Sequence, residues 1–400
     1  MKRLFNKNIA VCLLIIIWFN NLSAQTDIYN SDSTLINITQ QFNNFQNGVI
    51  LSFDDFQEKQ KKEFSEFKER IDKLWGTNNS KFSDPVKWIE YFNNKSRSVV
   101  DFKKGKATYE ILISPKEVKD SVKINRHLRK IIKKNILSKG NINNKESSGI
   151  TNNNLEQEPV LDQQIINKDG KIVTKDNIDA FTNEVVNSHK TVIKNIKGND
   201  GKQRTLVSVS ISLAPNYLQV RAQKILPVIL KYSNKFNIEP ELILSIIHVE
   251  SYFNPKSISK ANAIGLMQIV PSTGGIEAYK YLYNKNVKLT KSYLLNPSAN
   301  IELGTAYLSI LMNKYFKGII NNDSKRFCTI SSYNAGIGNV CVILSGTKMI
   351  NRTVKTVNMI TPEKLYYYLS HNFKSKEARD YIEKVNTKYI MYKTWVKNYL

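Results

Sequence analysis

Apolar residues recur at three- and four-residue steps near the start of the chain: Phe53, Phe56, Phe64, Phe67, Ile71 and Leu74, with Gln60 in the one gap. Charges lie between them, which predicts an amphipathic helix. Gly76 in "LWGTNN" marks its stop. "SDPVKWIEYF" predicts a second, short helix, with Pro85 suited to a first-turn position. The period then changes. Residues 99–102, the turn "KKGK" and residues 107–113 predict a β-hairpin. "SVKINRHLRKIIKKNI" is a helix with Leu128, Ile131 and Ile132 inside and a basic outer face, open to an anionic surface or simply solvated. "SKGNINNKESSGITNNNLEQEP" has the composition of a loop or linker. "TLVSVSISL" alternates from Val207 to Leu213, as a half-buried strand does.

From Asn216 the helical period runs to the end of the chain. Val220, Ile225, Val228, Ile229, Tyr232 and Phe236 mark one helix, and "IEPELILSIIHVESYF" the next, with Pro240 near its start. "NPSANIELGTAYLSILMNKYF" is a third. "SKRFCTISSYN" is a fourth, stopped by "AGIG". "TPEKLYYYLSHNF" and "SKEARDYIEKVNTKYIMYKTW" follow. The expected organisation is an α+β N-terminal domain over residues 48–214 and a mainly α domain over residues 215–400.

The first residues add a targeting reading. Lys2, Arg3 and Lys7 precede an apolar run from Ile9 to Phe19, too short for a comfortable membrane span. Leu22-Ser23-Ala24 ends in a small residue. Residues 1–24 are expected to be a secretory signal cleaved after Ala24, against the alternative of an uncleaved anchor; residues 25–47 are a polar tether. Cys12 follows Val11, not a small residue, inside the apolar run, which favours a cleaved secretory signal over a lipoprotein signal. Cys328 and Cys341 remain after cleavage, as a disulfide or as two buried thiols. Lys plus Arg is 59 against 34 Asp plus Glu, a net charge of +25. That balance favours anionic partners: nucleic acid, an anionic membrane surface or an acidic wall polymer.

Candidate chemistry centres on Glu250, the one acid between Glu241 and Glu277. Ile243, Ile246 and Ile247 share its helix face. A carboxyl emerging from an apolar stripe is desolvated, which raises its pKa and suits it to general acid work. Asn254-Pro255 then breaks the helix. Asn262 stands where a turn needs positive φ, and Gly265 allows close backbone approach. Gln268 offers an amide that donates and accepts. Tyr333 and Asn334 lie at a helix end before glycines, an aromatic ring beside an amide, a pairing that suits a sugar.

"ESYFNP", "GLMQI", "YNAGIGNV" and "EARDYIEKV", in that order, resemble the lytic transglycosylase (SLT) domain of the goose-type lysozyme superfamily over residues 216–395. "DKLWGTNNSKFSDPVKWIEYFNNKSRSVVDFKKGKATYEILI" resembles the domain that precedes it in membrane-bound lytic murein transglycosylases of type C. The resemblance implies a lysozyme-like catalytic domain with Glu250 as the catalytic residue. It implies substrate-binding or cleft-lining places for Ser251, Ser259, Met267, Gln268, Tyr333, Asn334 and Tyr381. Ser332 replaces the alanine common before the Tyr-Asn pair, and Asn262 stands where glycine is common. The lipid-attachment cysteine of the membrane-bound members is absent.

The implied reaction fits a lone acid. Most glycosidases use two carboxylates, and substrate-assisted enzymes are the exception. The resemblance implies cleavage of the β-1,4 bond between N-acetylmuramic acid and N-acetylglucosamine, leaving a 1,6-anhydro-muramic end. It implies no metal or other cofactor, peptidoglycan glycan strands as partner, and an exported, periplasmic or envelope-associated protein, with peripheral membrane contact open. A hydrolytic muramidase on the same fold and a non-catalytic wall-binding protein are the alternatives. The leader and the motif set argue against a nucleic-acid partner.

Overall fold

The structure is a computed structural model that describes residues 62–139, 158–287 and 289–399. The expected signal, the tether, the helix positions before residue 62 and most of the linker lie outside the described residues. Residues 62–75 are helical, as their apolar spacing predicts. Residues 70–400 form one compact unit, in which a sheet layer precedes a helical layer in sequence.

The sheet has five antiparallel strands in the order β1-β2-β3-β5-β4. They are β1 (Lys87–Asn93), β2 (Ser96–Asp101), β3 (Lys106–Ile113), β4 (Val192–Lys197) and β5 (Gln203–Ser212). The expected hairpin is β2–β3, and the alternating segment is β5. Side-chain alternation sends Ala107, Tyr109 and Ile111 of β3 to one face, where all three are fully buried. There they meet Val207, Val209 and Ile211 of β5 and the apolar faces of two helices, α1 (Ser121–Ile136) and α2 (Ile178–Ser188). The basic face of α1 is partly committed: Lys133 pairs with Asp179 at 2.8 Å and Arg129 donates to Asn183 at 2.9 Å, both on α2.

The short helix expected over "SDPVKWIEYF" is a strand instead. Asp84 Oδ1 accepts from the backbone N–H of Val86 and Lys87, closing a tight turn around Pro85. The following Trp-Ile-Glu-Tyr-Phe run is aromatic and β-branched, and its ladder partners on β2 are already in place. Pairing with the hairpin therefore prevails over the helix-start signal of the proline. α2 and β4 were not anticipated; β4 is an edge strand with Val192 and Ile193 exposed, so it lacks a half-buried alternation.

The helical layer comprises α3 (Tyr217–Phe236), α4 (Pro240–Ser251), α5 (Gly274–Tyr283), α6 (Lys291–Leu295) and α7 (Pro297–Ser309), the last extended by a π-turn over Ile310–Tyr315. Then come α8 (Asn322–Ala335), α9 (Ile337–Ser345), α10 (Ile350–Asn358), α11 (Pro362–Asn372) and α12 (Lys376–Tyr399). α4 is the axis of this layer. Every residue from Leu242 to His248 is buried, with α3 on one side and α12 along another. A helix apolar all round belongs inside a core. Cys328 on α8 and Cys341 on α9 are free thiols, both fully buried. No helix among the described residues is long and apolar enough to cross a membrane.

Candidate active site

Glu250 sits in the last turn of α4, half-buried, where the helix emerges from the core. The Tyr381 hydroxyl, on α12, donates to its Oε1 at 2.6 Å. Burial pushes the carboxyl up to about 7, against the lowering effect of the Tyr381 hydrogen bond, and the negative charge of Glu377 adds to the rise. His248, one half-turn earlier, brings no compensating cation. Burial holds it down to about 3, helped by Lys388, and its Nδ1 pairs with the Tyr392 hydroxyl at 2.8 Å. Tyr333 and Tyr381 are held well above the usual phenol range, mainly by burial, so both stay protonated donors.

The chain leaves α4 through two consecutive left-handed residues, Tyr252 at φ 50° and Phe253 at φ 60°. The loop that follows returns to the helix end. Ser251 is fully buried, and its hydroxyl donates to the Leu266 carbonyl at 2.7 Å. Ser259 Oγ accepts from Ala261 N and Ala263 N, and this turn places Asn262 at φ 60°. Gly265 is at φ 81°, and a β-carbon there would collide with the Asn300 amide and the Leu294 carbonyl. Asn300, fully buried on α7, pins the segment from behind. Its Oδ1 accepts from Met267 N, and its Nδ2 donates to the carbonyls of Ile264 and Leu294, each at 2.8 Å.

Met267 is fully buried too, with its side chain where a β-carbon on Gly304 would strike its sulfur. Its carbonyl accepts from the Tyr333 hydroxyl at 2.8 Å, which ties α8 to this loop. The Tyr333 ring lies 5.7 Å from that of Tyr307. Gln268 donates from Nε2 to Ser257 Oγ at 2.8 Å and to the Gly265 carbonyl at 2.9 Å, while its buried Oε1 has no partner among the described residues. Asn334 is half-buried at the end of α8.

The residues singled out from sequence thus fall into three groups. Glu250 and Tyr381 touch directly. Tyr333, Gln268, Ser251 and Met267 knit the loop that faces the end of α4, Ser251 and Met267 from inside the core. No hydrogen bond links Ser259 or Asn334 to Glu250. Asn300 and Gly304 were missed. A buried asparagine within the apolar "NPSANIELG" helix was the available signal for the first; the close packing of Met267 that demands the second is a long-range contact with no local trace.

The chain is similar to known proteins over both layers. Residues 227–355 match the family model of the transglycosylase SLT domain. Residues 52–224 match that of the N-terminal domain of membrane-bound lytic murein transglycosylase C. Among curated proteins, the membrane-bound lytic murein transglycosylase C of Pectobacterium atrosepticum is 32% identical over 324 residues, 80% of this chain and 87% of that protein. Its counterpart in Actinobacillus succinogenes is 32% identical over 322 residues, 80% of this chain and 85% of that one. Among solved structures, the 70 kDa soluble lytic transglycosylase of Escherichia coli matches 42% of this chain and 24% of its own, at 24% identity and a TM-score of 0.33. Shared sequence across both the sheet layer and the helical layer places this chain in the membrane-bound lytic murein transglycosylase C family.

Proposed function

We propose that this chain is a lytic murein transglycosylase in which Glu250 is both general acid and general base. The observation that carries the assignment is a carboxyl at the end of a buried helix, bonded to the Tyr381 hydroxyl at 2.6 Å, with burial pushing its pKa up to about 7. The substrate is the β-1,4 bond between N-acetylmuramic acid and N-acetylglucosamine. Protonated Glu250 gives its proton to the glycosidic oxygen as the C1–O bond breaks. The muramyl acetamide supports the developing cation, which takes the place of a second carboxylate. The Glu250 carboxylate, with Tyr381 donating to it, then takes the proton of the muramyl C6 hydroxyl. That oxygen closes on C1, the carboxyl is restored, and no water is consumed.

Tyr333 and Asn334 offer a ring and an amide to the sugars, and the unpartnered Gln268 Oε1 offers an acceptor. Ser259 lies in the turn on the same loop. Ser251 and Met267 support the wall from the core. The protein acts in the cell envelope. Residues 1–24 direct export and are removed after Ala24, with residues 25–47 as tether, residues 48–214 as an accessory domain and residues 215–400 as the catalytic one. The +25 net charge suits a wall polymer whose stem peptides carry carboxylates. Glu250→Gln keeps the size and the Tyr381 hydrogen bond but moves no proton. Cleavage of purified murein should fall by about 10⁴ or more, with murein binding retained. Undiminished cleavage would place the acid elsewhere.

A further inference from the structure

We propose that Arg221 is a positioning residue for Glu250: it clasps the strained turn that ends α4 to the sheet layer. The proposal rests on the assignment of Glu250 as the acid.

Arg221 lies on α3 and is 5% exposed. Its guanidinium stacks over the Phe102 ring at 3.8 Å, just past β2. Nη1 donates to Gln164 Oε1 at 2.9 Å, and Nη2 donates to the Phe253 carbonyl at 2.6 Å. Its Nε has no partner among the described residues. These acceptors are neutral. An arginine buried without a carboxylate is costly to desolvate, so a mere packing role would be served better by an apolar side chain. What this cation does that an apolar residue cannot is bridge the Gln164 amide of the sheet layer to one carbonyl three residues after Glu250.

That carbonyl belongs to a turn under strain. Tyr252 and Phe253 are both left-handed and neither is glycine. Left-handed conformers are unfavourable for such residues, and they persist only when the surroundings over-determine them. Three contacts with the sheet layer do so. Gln164 anchors the clasp; it is 1% exposed, and its own Nε2 donates to the Val160 carbonyl at 2.8 Å. Tyr252 packs against the apolar cluster of the sheet and its helices. Asn254 Nδ2 reaches the Pro85 carbonyl at 3.4 Å. From the helical side, Phe253 is held by the rings of His248 at 5.5 Å and Tyr392 at 6.2 Å. The last turn of α4 therefore ends against a stop built largely from residues 85–221. With the clasp released, the turn relaxes and the Glu250 carboxyl moves relative to Tyr381 and the scissile oxygen. Displacements of about 1 Å at a reacting group cost on the order of 10²-fold in rate.

The test uses the full chain. Arg221→Met keeps an unbranched apolar side chain and removes both hydrogen bonds along with the charge over Phe102. With rates normalised to folded protein by circular dichroism, kcat on soluble murein fragments should fall about 10- to 100-fold with KM changed less than about threefold. The alkaline limb of the kcat–pH profile should move with it, because Glu250 loses its set position against Tyr381. Arg221→Lys, which keeps a donor for the Phe253 carbonyl, should recover part of kcat; if the Met variant does not fold, the Lys variant carries the same readouts. A simple structural pin would lower the melting temperature and leave kcat and the limb unchanged, and that result overturns the proposal. Glu250→Gln is assayed alongside. If it is inactive while Arg221→Met behaves as wild type, only the clasp fails; if it is active, the assignment of Glu250 fails first.

Discussion

Replacing Glu250 by glutamine should make the protein more stable, and by an amount that depends on pH. The carboxyl titrates at about 7 in the folded chain against 4.5 as its ordinary value, chiefly because burial disfavours the charge. The folded state therefore binds the proton more tightly than the unfolded one. The stabilisation from that proton is complete below about pH 4.5 and is lost as pH rises through 7. Each pH unit of displacement is worth about 1.4 kcal/mol, which gives about 3 kcal/mol, trimmed to about 2–3 by the partial exposure of the side chain. Glutamine does not titrate and keeps an acceptor for Tyr381. Melting temperatures of both proteins, measured from pH 4.5 to 9, should diverge. The gap in favour of the glutamine variant should grow by on the order of 5 °C and level off above pH 8. Other groups titrate alike in both and cancel in the difference. A gap that stays constant across this range would refute a raised pKa at Glu250, and with it the reason for expecting a protonated acid at neutral pH.

Two further substitutions probe how the carboxyl and its loop are held. Tyr381→Phe removes the one hydrogen bond that favours the ionised form; the alkaline limb of the cleavage rate should move to higher pH, and a limb moving to lower pH would contradict the geometry. Asn300→Ala strips partners from Met267 N and from the carbonyls of Ile264 and Leu294; denaturant titration should register a loss of about 3 kcal/mol or more, and a loss under 1 kcal/mol would mean that the loop is held by other means.

Local pattern made most of this fold legible. Helices with a clear apolar stripe, such as α1 and α3, and the β2–β3 hairpin with its glycine turn declare themselves within a dozen residues. β1 does not, because Asp84-Pro85 reads equally as a helix start and as a tight turn, and only the neighbouring strand decides between them. The site divides the same way. Glu250 is announced by its isolation among apolar residues, and Asn262 and Gly265 by the left-handed turns they adopt. Arg221 is silent in sequence, and Asn300 shows only as a polar residue on an apolar helix. Each acts on backbone groups more than thirty residues away, and nothing in "LQVRAQK" or "SANIELG" tells which carbonyl or amide it will meet.

The central claim is that the muramyl C6 hydroxyl, not water, takes the place of the leaving sugar. Mass spectrometry of murein digested by the wild-type protein tests it most directly. The account predicts muropeptides ending in 1,6-anhydro-muramic acid, each lighter by one water than its hydrolytic counterpart and lacking a reducible end. Products dominated by reducing muramic acid ends, absent from the Glu250→Gln digest, would make the same site a muramidase and contradict the account.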